Sequence, residues 1–177
     1  MQISIKNKIP RTAVELFKIL PEGLLCEVIE NTLYITPAPN FFHQSVVMDL
    51  ASDIHVHVKQ KKMGKCIPSP IDVYLDSENA FQPDIIFIAE NNKGIIIDGK
   101  IKGTPDLIIE ILSPGSIKHD TITKRKVYER NGVNEYFIVN PSTKAVITYY
   151  LRNKKFEKQI SKQGKVVSKL LKKTFSF

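Results

Sequence analysis

The stretch TPDLIIEILSP, residues 104–114, places one carboxylate, Glu110, inside an otherwise unbroken aliphatic run. A run of this kind, bounded by Pro105 and Pro114, is typical of a central β-strand that is covered on both faces. Such a strand offers no solvent face to an acidic side chain. A buried carboxylate is costly unless a cation, a hydrogen bond or a proton compensates it. The run therefore predicts a buried strand and a partner for Glu110.

The size of the chain predicts one domain, over residues 1–177. It has 42% hydrophobic and 25% charged residues, which is enough for a core of ordinary composition. Its apolar segments are shorter than the roughly 18 residues that span a bilayer, and its N-terminal segment lacks a hydrophobic signal core. We therefore expect a cytoplasmic protein without a membrane partner. Cys26 and Cys66 are too few for a disulfide framework, so we expect reduced thiols.

The net charge of +8 comes from the C-terminal residues 151–177. Residues 1–150 contain 17 basic and 17 acidic residues, whereas the C-terminal segment has nine basic residues and a single acid, Glu157. This lysine-rich segment can contact phosphate groups. Lysines at alternate positions also protect exposed edge strands from aggregation. Both interpretations stay open, and the pattern favours edge strands.

Hydrophobic spacing predicts helices and a hairpin in the first half of the chain. A short helix capped by Thr12 ends at Pro21 and Gly23, and alternation around residues 30–31 predicts a hairpin. Apolar residues then recur at helical spacing in a long amphipathic helix that we expect to end at Gly64. The face of this helix is formed by His43, Val47, Leu50, Ile54 and His57 or Val58.

The second half of the chain is rich in strands. Strand-like segments are PIDVYL, QPDIIFIAE, PDLIIEIL, EYFIVN and AVITYYL. One charged helix, residues 116–132, separates the third segment from the fourth and ends at Gly132, and NNKG is a candidate hairpin turn. This order predicts an α/β (α+β) domain built on a mixed sheet.

Three charged residues are predicted to meet at one site. Asp84 lies at the entry to one apolar run, Glu110 inside the next, and Lys124 on the helix that follows. Asp120, Lys124 and Tyr128 are spaced i, i+4, i+8, so Lys124 belongs to the face that packs on the sheet. An inward lysine and an inward carboxylate compensate each other.

Two carboxylates and a lysine at adjacent strand ends are suited to phosphodiester hydrolysis. Carboxylate oxygens bind a hard divalent cation, and an ammonium orients water or stabilises charge developing on phosphate. A buried ion pair of Glu110 and Lys124, with Asp84 as a cap at the strand entry, is an equally weighted alternative without chemistry.

At these residues the chain resembles the Uma-two family of predicted restriction endonucleases, within the PD-(D/E)XK nuclease superfamily. The resemblance covers roughly residues 12–150 and rests on TAVELFKILPEG, CEVIENTLYITPAPNFFHQ, QPDIIFI and PDLIIEILSPGSIKHDTITKRKVYERNGVNEYFIVNP. It implies a restriction-endonuclease-like mixed sheet flanked by helices, with an N-terminal helix and a hairpin. It also implies Mg²⁺ or Mn²⁺ as cofactor, DNA as partner and a homodimer.

The resemblance also implies roles for individual residues. Asp84 matches the motif aspartate and Glu110 the acidic residue of (D/E)XK, and both are expected metal ligands. The chain departs from the motif at Leu112, where a lysine is expected, and Lys124 on the helix is its substitute. If Lys124 does not reach the site, hydrolytic activity is in doubt.

Four further residues are candidates for support. Glu27 and His43 fall where the family has an early glutamate and a histidine at a helix start. Glu27 can equally pair with a neighbouring strand, and a core histidine is at least as common as a ligand. Asp120 and Tyr128 are expected to orient Lys124 and to pack the helix.

Other chemistries find little support in the sequence. His55 and His57 at i and i+2 point apart on a helix, which disfavours zinc. Phosphate-cradling and acyl-transfer motifs are absent, and 8% aromatic residues without tryptophan leave little for base stacking. The leading hypothesis is a metal-dependent endonuclease acting on DNA. The alternatives are a catalytically inactive module of the same fold that binds nucleic acid or protein, and an inert domain in which the ion pair is only structural.

Overall fold

The computed structural model describes residues 10–161 and 163–177, which form a few helices and many strands. The helices are α1 (Ala13–Phe17), α2 (Phe41–Gln60) and α3 (Arg125–Asn131), with a 3-10 helix at Glu90–Ile95 and a π-helix at His119–Lys124. The strands are β1 (Cys26–Ile29), β2 (Thr32–Ile35), β3 (Gly64–Pro68), β4 (Val73–Tyr74), β5 (Ala80–Phe81), β6 (Ile85–Ala89), β7 (Ile96–Ile97), β8 (Lys100–Lys102), β9 (Leu107–Ile111), β10 (Glu135–Val139), β11 (Val146–Arg152), β12 (Lys155–Ser161), β13 (Lys165–Ser168) and β14 (Lys173–Ser176). None of the helices in these two ranges is long and apolar enough to cross a membrane. The expectation about a signal core concerns residues 1–12, of which residues 1–9 lie outside the described residues.

A six-stranded mixed sheet forms the centre of the fold, in the order β12-β11-β10-β9-β6-β3. Strands β9 and β10 run parallel, and the other neighbours are antiparallel. Every residue of β9 and β10 is buried; for β9, which carries Glu110, this confirms the prediction of a strand covered on both faces. Glu110 pairs with Ile138 in this register, so the acid lies at the centre of the sheet.

Two different layers cover the central sheet. Helix α2 and the hairpin β13–β14 lie on one face, where they pack against Ile109. The other face carries α3 and a second sheet, of order β2-β1-β5-β4-β8-β7, which pack against Ile108. Because side chains alternate along a strand, Glu110 faces the same side as Ile108. This is the side on which α3 and the second sheet meet.

The N-terminal helix and the hairpin are where the sequence predicts them. Thr12 caps α1, since its hydroxyl oxygen accepts a hydrogen bond from the Glu15 N–H at 3.1 Å. Glu30 and Asn31 form the turn between β1 and β2 with φ angles of 47° and 58°, the left-handed conformation that a two-residue hairpin loop favours. The charged helix ends at Gly132, which adopts φ 84°.

Several boundaries differ from the prediction. Helix α2 ends at Gln60, and Gly64 instead begins β3, where a Cβ would collide with the carbonyl oxygen of Ile88. NNKG is not a hairpin turn, because it lies in the 3-10 helix that leads from β6 to β7 in the other sheet. Strands β3, β5, β7 and β8 were not predicted. The last three have only two or three residues each, too few for a periodic pattern.

The lysine-rich C-terminal segment is an integral part of the fold. Strand β12 is an edge of the central sheet, as the lysine pattern favours. The hairpin β13–β14 instead contributes Val166 and Phe175 to the core beside α2. The connection within this hairpin is held by Glu135, whose carboxylate accepts hydrogen bonds from the Ser168 hydroxyl at 2.6 Å and the Leu170 N–H at 2.8 Å.

Replacing Phe175 with Ala should lower the free energy of unfolding by about 3–5 kcal/mol, because the buried ring leaves a cavity against α2. The measurement is urea denaturation followed by circular dichroism. The matched control is Ile160→Ala in β12, where the side chain is 82% exposed and the change should stay within about 0.5 kcal/mol. Equal effects of the two substitutions would contradict this packing of the C-terminal hairpin.

Candidate active site

The charged residues singled out in the sequence converge beside the end of β9. Glu27 lies on β1, Asp84 at the entry to β6, and Glu110 on β9. The π-helix carries Asp120 and Lys124, α3 carries Tyr128, and the first turn of α2 carries His43. All except Tyr128 line a common cavity. Tyr128 lies behind Glu110 in the core.

The ammonium of Lys124 is surrounded by three carboxylates. Its Nζ donates hydrogen bonds to Glu27 at 2.8 Å and to Glu110 at 3.1 Å. Asp120 Oδ1 is 3.3 Å away, but it has no hydrogen-bond partner, so this contact is an ion pair without hydrogen-bond geometry. The lysine is only 4% exposed. One cation therefore compensates acids from β1, from β9 and from its own π-helix.

Glu110 is compensated by hydrogen bonds as well as by charge. The Tyr128 hydroxyl donates to Glu110 Oε1 at 2.7 Å, and the same oxygen accepts from Lys124. Burial, together with the negative charges of the neighbouring acids, outweighs Lys124 and raises the pKa of Glu110 well above its usual value. Burial also raises the pKa of Asp120. Glu110 and Asp120 therefore bind a proton, or a further cation, more readily than exposed carboxylates do.

The charge of Lys124 itself is stabilised by its surroundings. Burial alone lowers the pKa of a lysine, but the carboxylates of Glu110, Glu27 and Asp120 reverse this and raise the pKa of Lys124 well above its usual value. Lys124 is therefore protonated throughout the neutral range. It is a fixed positive charge and not a proton acceptor.

The helix that carries Lys124 is π-helical where it borders the cavity. Spacing predicts an α-helix here, whereas residues His119–Lys124 have the wider π turn before α3 begins. π-Helical segments are frequent at functional sites. Asp120 and Lys124 are both buried in it, and the Tyr136 hydroxyl donates to the Asp120 carbonyl oxygen at 2.9 Å. This bond ties the segment to β10.

Asp84 is held by the backbone of the neighbouring strand. Its Oδ2 accepts a hydrogen bond from the Ile111 N–H at 2.7 Å and lies 3.3 Å from His43 Nε2. Burial lowers the pKa of His43, but the hydrogen bond and the charge of Asp84 outweigh it, so that the pKa is raised. The aspartate thus links β6 to β9 and α2 at the site.

The cavity has a volume of about 540 Å³. One wall is formed by residues 34–40 and by His43, in the segment that leads from β2 into α2, and the other is the loop from Ser113 to Ser116 that leads into the π-helix. The acids form the floor. This volume lies within the range of about 300–1,000 Å³ that is usual for small-molecule sites.

The donor set fits a hard divalent cation held by two carboxylates and water. Asp84 makes its contacts through Oδ2 and Glu110 through Oε1, so one oxygen of each has no hydrogen-bond partner among the described residues. Mg²⁺ is commonly bound through one or two carboxylates and keeps several waters. Within residues 10–161 and 163–177, no group of three or more His, Cys, Asp or Glu side chains could hold a metal.

Sequence reasoning missed several residues of the cavity. Gln82 supports the floor, since its backbone N–H donates to Glu27 Oε1 at 2.9 Å. Tyr34 and His119 close one side with their rings 4.7 Å apart. In the sequence, the QPD segment indicated a site only through its aspartate. Tyr34 and His119 are 85 positions apart in the chain, so no local pattern could have joined them.

The mixed sheet, the flanking helices and the N-terminal hairpin define a protein of the restriction-endonuclease-like class. The fold prediction is thereby confirmed. The chain belongs to the Uma2 (Uma-two) family, whose sequence profile, described as "Putative restriction endonuclease", matches residues 14–174. The match extends through most of the C-terminal hairpin, beyond the segment on which the resemblance in sequence rests.

A solved structure has the same fold. The chain is similar to a protein described as a "putative nuclease belonging to DUF820" from Anabaena variabilis, with a TM-score of 0.70 and 21% sequence identity. The match covers 85% of this chain and 84% of the other. No curated protein matches the chain. At this level of identity the similarity establishes the fold alone.

Replacing Lys124 with Met should destabilise the protein by about 3–5 kcal/mol near neutral pH, because the buried carboxylates lose their cation. The pKa values of Glu110 and Asp120 are already raised and should rise further, so the folded state keeps protons that the unfolded state has released. Stability then falls as pH rises. The loss relative to wild type should be largest near pH 8 and shrink toward about pH 5.

The control for this substitution is Lys155→Met. Lys155 pairs with Glu129 at the surface, and its loss should change stability by less than about 1 kcal/mol. Urea denaturation at several pH values measures both variants. A loss in Lys124→Met that does not depend on pH would contradict the role of Lys124 as the cation of the buried acids.

Proposed function

We propose that the protein is a metal-dependent endonuclease that hydrolyses phosphodiester bonds of DNA. The observation that carries this proposal is the arrangement of Asp84 and Glu110 on one cavity floor, each with an oxygen free, beside the ammonium of Lys124. Membership in the Uma2 family supports the same reaction class, and so does the similarity to the Anabaena variabilis protein that is described as a "putative nuclease".

The residues of the site have distinct roles in this proposal. Asp84 and Glu110 would hold Mg²⁺ or Mn²⁺, which when bound activates water and neutralises charge on a phosphate. The backbone N–H of Ile111 fixes Asp84, and the hydroxyl of Tyr128 fixes Glu110. Glu27 and Asp120 keep Lys124 charged and in place. His43 orients Asp84 from the opposite side.

Lys124 has a donor to spare for the substrate. An ammonium has three N–H groups, and hydrogen bonds to Glu27 and Glu110 use two of them. The contact with Asp120 is not a hydrogen bond. Because Lys124 lines the cavity, the third N–H can donate to a water or a phosphate oxygen there. A lysine at this position can therefore substitute for the missing motif lysine.

Replacing Glu110 with Gln should weaken binding of Mg²⁺ and Mn²⁺ by more than about 100-fold, because a charged ligand becomes a neutral amide of the same shape. Isothermal calorimetry with each metal alone measures this change. Glu135→Gln is the matched control, since Glu135 is also a buried acid but does not line the cavity. Equal metal affinity in wild type and Glu110→Gln would refute this ligand set.

Wild-type protein should nick supercoiled plasmid in the presence of Mg²⁺ or Mn²⁺, and Asp84→Asn and Glu110→Gln should each reduce the rate by at least about 100-fold. Gel electrophoresis of the plasmid over time gives the rates. Preparations purified identically guard against a contaminating nuclease. If plasmid stays intact with wild type although metal binds, the proposed activity is wrong.

A second candidate, a catalytically inactive module that binds nucleic acid, is favoured by a basic groove away from the cavity. Lys165 and Lys169 line it, with the Lys169 ammonium 3.7 Å from the centroid of the Tyr150 ring. This candidate predicts DNA binding that weakens with salt, is lost in the Lys165→Ala, Lys169→Ala double variant, and is unchanged in Glu110→Gln.

The homodimer and the cytoplasmic location remain predictions. Analytical sedimentation tests the first, and cell fractionation tests the second.

A further inference from the structure

We infer that the apolar wall beside the cavity, made of residues 34–40, which line it, and of Phe41 and Phe42 at its rim, holds an unpaired nucleobase next to the phosphate that is cleaved. The substrate would then be single-stranded or locally opened nucleic acid. This inference rests on the proposed function, because it assigns the substrate class of the same site.

The wall exposes an unusual amount of aromatic and apolar surface. Phe41 and Phe42, at the start of α2, are 79% and 70% exposed, with ring centroids 5.7 Å apart. The two rings do not themselves line the cavity, but they lie between Asn40 and His43, which both do, and are therefore at its rim. Ile35, at the end of β2, also lines the cavity and is exposed. Exposed aromatic rings thus lie beside the candidate active site, although the sequence offered little reason to expect base stacking.

The charges of the cavity require a source of affinity other than phosphate pairing. Four carboxylates and one ammonium line it, together with His43 and His119. Such a cavity repels a polyanion unless a metal is bound, and even then the metal accounts for one phosphate. Stacking of a base on an aromatic ring contributes about 1–3 kcal/mol and does not depend on charge. The exposed rings can therefore contribute binding free energy for a nucleic acid that the acidic residues of the cavity do not provide.

The form of the wall favours an unpaired base over a duplex. The faces of paired bases are covered by their neighbours in the stack, so rings on a protein surface reach them only after a base has left the duplex. The cavity volume of about 540 Å³ suits a nucleotide rather than a helix. A second protein copy is the competing occupant of this apolar wall, and measurements of binding and of oligomeric state distinguish it from a nucleobase.

The test is binding of a fluorescein-labelled thymidine 12-mer, measured by anisotropy with Ca²⁺ in place of Mg²⁺ so that hydrolysis does not interfere. The probes are the single strand, its duplex, and a single strand with abasic sites. The Phe41→Ala, Phe42→Ala double variant should bind the single strand about 5- to 150-fold more weakly than wild type. Wild type should prefer the single strand to the abasic strand, and the double variant should not.

Two controls separate stacking from general apolar contact. Met48→Ala removes an apolar side chain that is 68% exposed on the same helix but lies about two turns beyond the rim of the cavity, and it should leave binding unchanged. Phe42→Leu keeps much of the apolar surface without the aromatic ring and should still weaken binding.

The outcomes distinguish this inference from the proposed function. Unchanged single-strand binding by the double variant, or equal binding of the intact and abasic strands by wild type, overturns the inference even if plasmid nicking persists. A wild-type dimer that the double variant converts to a monomer in sedimentation also overturns it, since a second copy then occupies the wall. Base-dependent binding without any nuclease activity supports the inference while the proposed reaction fails.

Discussion

The ion pairs of one buried lysine join the parts of this fold. Lys124 contacts Glu27 from the second sheet, Glu110 from the central sheet and Asp120 from its own helix. Without the ammonium, three acids would be buried together in a region where charge is poorly solvated. The lysine therefore stabilises the approach of β1, β9 and the π-helix, and that approach creates the cavity.

The same interaction explains why structure and chemistry are difficult to separate at this site. A lysine that neutralises buried acids is structural, yet it also lies in the wall of a cavity whose floor has free carboxylate oxygens. The excess of acids over cations leaves room for a metal. An ion pair in an inert domain needs only one acid for its lysine, whereas this lysine has three.

The positive charge of the chain and its candidate active site lie in different places. The excess of basic over acidic residues lies in residues 151–177, and several of these lysines are already engaged, such as Lys155 with Glu129 and Lys173 with Asp53. The acidic cavity instead has an apolar and aromatic wall. Net charge is therefore a poor guide to how this protein would hold a nucleic acid, and the local surface of the cavity is more informative.

The amino-acid sequence by itself determined the central strands, the capped N-terminal helix, the hairpin and the need of Glu110 for a cation, because these follow from local periodicity and from the cost of a buried charge. It also singled out the seven residues that gather at the site. Tertiary structure alone decided the π-helical turn at Lys124, the short strands of the second sheet, and the ring contact of Tyr34 with His119. These depend on packing between distant segments, which no local pattern records.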